Sequence, residues 1–195
     1  MKKLLISGFD PFGGEAINPS YEAVKLLDDV IGEYELTKIE LPTVFGRAAE
    51  IMIERIEEIR PDAVICVGQA GGRRGITPEG IGINLREASI ADNAGNTPKN
   101  ERIRAGAPDG IFSTLPVREM VEAIKEEGLP ASLSFSAGAF VCNDLLFSLL
   151  YEFKDTDIKI GFIHVPFLPE QAKAGVPSME LADVVRGLGA AVKCL

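Results

Sequence analysis

The stretch Ala63-Val64-Ile65-Cys66-Val67-Gly68 is apolar from end to end. A strand with no polar face must be covered on both sides, which is the situation of a central strand in a parallel sheet between helices. Leu4–Phe9 and Ile158–Val165 read as further buried strands, with shorter ones at Ile81–Leu85 and Leu133–Phe135. Leu36–Leu41 alternates less clearly and reads as an exposed or edge strand. Between these runs the apolar spacing becomes helical. Asn18 can cap a helix with Pro19 at its first position, running to about Val30. Arg47–Arg60 sets Ala48, Met52, Ile56 and Ile59 on one stripe and its glutamates outside it. Pro116 opens a helix that Gly128 closes, Leu145–Tyr151 forms another, and Ser178 can cap a last one reaching about Lys193.

Strands alternating with helices predict right-handed βαβ crossovers. The expected fold is α/β: a three-layer α/β/α sandwich with a mixed, largely parallel central sheet. With 195 residues, 46% of them hydrophobic, the chain can fill one core and is short for two, so residues 1–195 are expected to form a single domain. Ala91–Gly110, rich in Asn, Gly and Pro, shows no period and is long enough to suggest a functional loop.

Charge narrows the partners. Twenty basic against 29 acidic residues leave −9, a surface that repels phosphate backbones and anionic lipid, so neither nucleic acid nor membrane is an expected partner. No apolar run is long enough to span a bilayer, and the apolar start at Met1–Gly8 runs into Asp10-Pro11 before it resembles a signal peptide. Cys66, Cys142 and Cys194 are widely spaced and show neither a disulfide framework nor zinc spacing. A reducing cytoplasm is the expected compartment, where a free thiol is available for chemistry. No cofactor is expected. The turn Gly8-Phe9-Asp10-Pro11-Phe12-Gly13-Gly14 lacks the dinucleotide fingerprint and the phosphate-loop lysine, and its two phenylalanines suit a flat apolar ligand.

Two residues stand at addresses that favour chemistry. His164, the chain's one histidine, ends an apolar strand just before Pro166, and strand carboxyl ends line the ligand crevice of open α/β sheets. Cys142 follows the small-residue turn Ser136-Ala137-Gly138 and lies near a helix N-terminus, where aligned N–H dipoles favour thiolate over thiol. Most free cysteines are inert and buried. Cys66, inside a strand, fits that description, and Cys194 reads as exposed or interfacial. Glu79, in Thr77-Pro78-Glu79-Gly80, can orient an imidazole as the third member of a triad, although spacing alone does not single it out among 29 acids.

Six segments resemble the pyroglutamyl peptidase I (pyrrolidone-carboxylate peptidase) family: Gly8–Gly14 with Asn18-Pro19, Leu41–Phe45, Val67–Arg73, Ile76–Glu79, Ser136–Asn143 and Gly161–Pro166. They follow the family's order and cover nearly the whole chain. The resemblance implies a Glu-Cys-His triad at Glu79, Cys142 and His164, working through a thioester on peptides with an N-terminal pyroglutamate. It implies that Phe9 and Phe12 bracket the lactam ring, that Thr43, Ile90, Phe140 and Val141 complete an apolar pocket, and that the main chain at Gln69 meets the lactam. It also implies a homodimer or homotetramer. Two positions depart from the family. Ser89 stands where an arginine usually helps hold the oxyanion, and Gly80 replaces an arginine after the triad glutamate, with Arg86 or Arg73 as substitute donors. Two alternatives follow: a pyroglutamyl-binding protein with weak or no catalysis, and a nucleoside-processing enzyme, for which the chain offers no strong phosphate or ribose site.

Overall fold

A computed structural model describes residues 1–195. In chain order the elements are β1 (Lys2–Phe9), α1 (Pro19–Leu26), β2 (Val30–Ile31), β3 (Tyr34–Leu41), α2 (Arg47–Ile59), β4 (Ala63–Gln69), β5 (Thr77–Glu79), β6 (Ile81–Ile83), β7 (Gly110–Phe112), α3 (Val117–Glu126), α4 (Val141–Glu152), β8 (Lys159–Val165) and α5 (Leu181–Val192). The main sheet has six strands in the order β2-β3-β1-β4-β8-β5. Its four inner strands run parallel, while β2 and β5 join antiparallel at the two edges. The fold is therefore α/β with a mixed, largely parallel sheet.

Residue parity along the strands builds the layers. Leu4, Ile6, Ile65 and Ile163 point into one core with residues of α1, α3 and α5. Leu5, Val64, Cys66 and Phe162 point into the other with residues of α2 and α4. Each fully buried Leu, Ile or Phe stabilises by about 1.5–3 kcal/mol, so the inner strands anchor both layers. Gly8 lets α1 approach, since a Cβ there would come within 2.4 Å of the Tyr21 backbone. No helix is long and apolar enough to cross a membrane.

Several elements differ from the expectations. Asn18 caps α1 by accepting from Ser20 N–H, with Pro19 in the first turn, but the helix stops at Leu26 because Val30–Ile31 turns back to pair with Tyr34–Glu35. Lys38 Nζ holds that reversal by donating to Leu27 O and Asp29 Oδ1. β3 is consequently not the edge; β2 covers it. Ile81–Leu85 contributes only β6, which leaves the main sheet and pairs with β7. Leu133–Phe135 is no strand: its segment touches the β5 side through two isolated bridges, Ile76 with Ala131 and Glu79 with Ser134. α4 begins at Val141, a turn before Leu145, and Glu180 rather than Ser178 sits at the N-cap of α5. The strand β5 carries Pro78, which costs no ladder bond because its main chain faces outward, its carbonyl accepting from Ser134 N–H.

Candidate active site

The carboxyl ends of β1, β4 and β8 lie side by side, and the next residues form a crevice there. His164 shares its strand face with Phe162, the face covered by α4, and is in register with Gly68 on β4. Cys142 is the second residue of α4. A Cβ on Gly68 would lie 2.8 Å from Cys142 Sγ and 2.7 Å from the Phe162 ring. Only glycine leaves room for both, so the bare backbone at Gly68 is the seat on which the sulfur rests, beside His164.

The helix start adds a field. Phe140 occupies the N-cap without a side-chain hydrogen bond, and the amides of Val141, Cys142 and Asn143 bond to no carbonyl. Those N–H groups are available beside the sulfur. The residues that follow fasten the helix. Asn143, fully buried, accepts from Ile83 N–H and donates to Ile83 O and Leu85 O. Asp144, also fully buried, accepts from Arg86 Nε at 2.7 Å and from Gly46 N–H at 2.7 Å.

Behind the imidazole, Nδ1 of His164 lies 2.7 Å from Oε1 of Glu79. Antiparallel pairing of Thr77 with His164 brings Glu79 to this position. Arg73 donates to the same Oε1 at 2.6 Å, to Thr77 Oγ1, and to Ser136 O at 2.9 Å, tying the carboxylate to the loop that leads into α4. Glu79 Oε2 is buried without a partner.

The residues titrate as this packing dictates. Burial is the largest influence on Glu79 and pushes its carboxyl up, but the hydrogen bond and charge of His164, then the Ser134 hydroxyl and the charge of Arg73, overcome it and hold the acid below its ordinary range. Burial dominates at His164 and holds the imidazole below its ordinary value, despite Glu79. At Cys142 burial comes first, then Glu79 and Cys66, and the thiol is pushed up to about 12, against Arg73 and its own amide. Cys142 is partly open to the cleft, so solvent there offsets some of that push, yet the proton rests on sulfur at neutral pH. The thiolate anticipated from the helix terminus alone is thus outweighed by desolvation of the sulfur. Cys66, 1% exposed, is also pushed to about 12, chiefly by burial in the core. Cys194, half-buried, bonds to Ala190 O within its own helix end.

A cleft of about 470 Å³ brings together Cys142, His164, Phe12, Gln69 and Phe140, with Arg73 and the turn Ser136–Gly138 on its wall. Phe12 and Phe140 stand 5.9 Å apart, and Phe45 backs Phe140 edge-on at 5.1 Å. The other residues implied by the resemblance lie outside this lining. Phe9 is 2% exposed and packs on Phe162, whose ring meets His164 at 4.7 Å. Thr43 is buried and its Oγ1 donates to Asp10 O. Val141 is wholly buried in the core, and Ile90 is 46% exposed. Ser89 is exposed and outside the lining too. Neither substitute donor is idle: Arg86 is held by Asp144, and Arg73 by Glu79 and Ser136. Gly68, Asn143 and the bracing role of Arg73 escaped sequence reasoning. The polar pair Asn143-Asp144 inside an apolar helix was a signal that would have pointed to buried partners. No group of three or more His, Cys, Asp or Glu side chains converges to hold a metal ion.

A family model described as pyroglutamyl peptidase matches residues 2–195. The pyrrolidone-carboxylate peptidase of Bacillus thuringiensis subsp. konkukian is 48% identical over 198 residues, 99% of this chain and 92% of that protein. That of Streptococcus suis is 50% identical over 194 residues, 97% and 90% of the two chains. Among solved structures, pyroglutamyl peptidase I of Bacillus amyloliquefaciens superposes with a TM-score of 0.96 at 45% identity, covering 100% of this chain and 96% of that one. Pyrrolidone carboxyl peptidase of Thermococcus litoralis gives 0.95 at 38% identity, covering 100% and 93%.

Proposed function

The chain belongs to the pyroglutamyl peptidase family, and from that premise we propose that it is a cysteine peptidase removing an N-terminal pyroglutamyl residue from peptides, with Cys142 as nucleophile, His164 as base and Glu79 as the group that orients the base. The observation that carries this reading is the seating of Cys142 Sγ over Gly68, in the same cleft as an imidazole whose Nδ1 is held by Glu79.

Glu79 fixes the tautomer with the proton on Nδ1, which leaves Nε2 as the base. Burial disfavours both the thiolate and the imidazolium, so attack requires His164 to take the thiol proton. Nε2 takes the proton as sulfur bonds to the carbonyl carbon joining the lactam residue to its neighbour. The free amides at the start of α4 receive the oxyanion. The imidazolium, stabilised by Glu79, returns its proton to the leaving amine as the C–N bond breaks. Water, deprotonated by Nε2, then hydrolyses the thioester and frees pyroglutamate. Phe12 and Phe140 suit the uncharged ring, with the main chain at Gln69 for the lactam; an open-chain glutamate would bring charges without partners.

The test is release of aminocoumarin from its pyroglutamyl amide by the wild-type chain and none by Cys142→Ser, with a pyroglutamyl adduct on Cys142 after acid quench. Hydrolysis by the serine variant at wild-type rate overturns the assignment. A second reading, weak catalysis, is favoured by the engagement of Arg73 and Arg86, which leaves the oxyanion to backbone donors alone. A missing oxyanion donor costs on the order of 10²–10³ in rate, so Ser89→Arg should raise kcat; an unchanged kcat removes this reading. The chain is further proposed to act in the cytoplasm as a homodimer or homotetramer, which light scattering tests.

A further inference from the structure

A second depression, about 720 Å³, adjoins the cleft and shares two of its wall residues, Arg73 and Ser136. It is lined along the segment Pro130–Ser136, which leads directly into the turn before Cys142. One edge of this segment is used. Ser132 N–H donates to Ile76 O, Ser134 N–H to Pro78 O, and Ser134 O accepts from Gly80 N–H. Between the two bonded serines, Leu133 presents its main-chain groups to the opposite side; the chain then bends at Phe135, and the main-chain groups of Leu133 and Phe135 bond to nothing in the protein. The segment thus offers an unpaired β-edge that ends at the catalytic turn.

The chemistry of the walls narrows the occupant. Two guanidiniums, Arg73 and Arg74, and no carboxylate line this groove, on a chain with net charge −9. Arg73 is bound to Glu79 and Ser136, whereas Arg74 is exposed and pairs with no carboxylate. Phe135, 60% exposed, lies over Gly80, where any Cβ would come within 3.1 Å of its ring. The groove therefore presents main-chain hydrogen-bonding groups, an apolar ring and one unpaired positive charge. A peptide strand ending in a carboxylate complements all three.

We infer that the part of the substrate beyond the scissile bond adds as a strand along Leu133–Phe135, and that Arg74 receives the carboxylate of its C-terminus. This inference rests on the peptidase reading. It makes the chain selective for short free-acid peptides: main-chain bonding tolerates varied side chains, while a fixed guanidinium reads length.

The experiment compares pyroglutamyl peptides carrying one, two or three alanines after the lactam, each as free acid and as C-terminal amide, with wild type and Arg74→Gln. The pyroglutamyl coumarin amide run with wild type checks the peptidase reading separately. The expected wild-type result is an acid-to-amide ratio in kcat/KM of about three to five at one chain length and near one at the others, the size of an exposed charge pair. That ratio falls to about one in Arg74→Gln and in high salt. A wild-type ratio of one at every length, or a preference that survives Arg74→Gln, overturns the groove while coumarin release leaves the peptidase reading standing. Absence of all hydrolysis by wild type overturns both.

Discussion

At the scale of single residues, the nucleophile owes its place to an absent side chain. Gly68→Ala puts a methyl within van der Waals conflict of both Sγ and the Phe162 ring. A nucleophile displaced by about 1 Å costs on the order of 10² in rate, so the variant should lose at least that in kcat/KM while keeping its far-ultraviolet circular dichroism. The proton inventory sets the pH profile. The base works neutral, and burial holds His164 below its ordinary 6.5, so the acid limb of kcat/KM should have its midpoint below that value. The thiol is pushed up, so no fall from thiol ionisation should follow up to about pH 9. An acid limb centred above 6.5 contradicts the burial account. Cys142 and His164 were legible because each address, a helix start and a strand end, is written in the local pattern. Glu79 was not: its role depends on a strand of three residues, one of them proline, too short to show a period.

At the scale of elements, α4 is a positioning device as much as a packing one. Its first turn turns two polar residues inward, and Asn143 closes three bonds to β6 and the residue chain beyond it. Asn143→Ala leaves buried main-chain groups unpaired, at about 1–3 kcal/mol. For a chain of this size that lowers Tm by about 2–4 °C per kcal/mol. Since the helix start loosens with it, kcat should fall more than KM rises; a drop in Tm with kcat intact would make Asn143 merely structural. The strands β4 and β8 were readable in the sequence because strands covered on both faces need unbroken apolar runs. The helix start near Cys142 was readable from the turn before it, but the regular apolar period showed only from Leu145, because inward Asn143 and Asp144 interrupt it in the first turn. The strand β7 escaped for a different reason: it is three residues paired only with β6, and it starts at Gly110, the last residue of a stretch whose composition reads as loop.

At the scale of the whole molecule, the two cores share the inner strands, so we expect residues 1–195 to unfold in urea as one transition. Its midpoint should depend on acid. His164 has a lowered pKa in the fold, so the unfolded chain takes up that proton first, and stability falls as pH drops from about 6.5 toward the folded value. Glu79 is also lowered; its contribution is complete above its ordinary 4.5 and is lost as pH falls through its folded value. The midpoint should therefore decline in two stages, and His164→Gln should remove the upper one. A midpoint that is flat between pH 6.5 and 5 would contradict this. The position of β8 in the sheet, between β4 and β5, also governs synthesis. A ribosome that has made β4 and β5 must add some 80 further residues before the strand that joins them exists. Until then the apolar edge of β4 lies open to a neighbouring nascent chain, and the carboxylate of Glu79 has no histidine to hold. Chains interrupted before residue 159 should accumulate as aggregates and never show peptidase activity, so recovery of activity during cell-free synthesis marks the release of full-length product rather than any earlier stage.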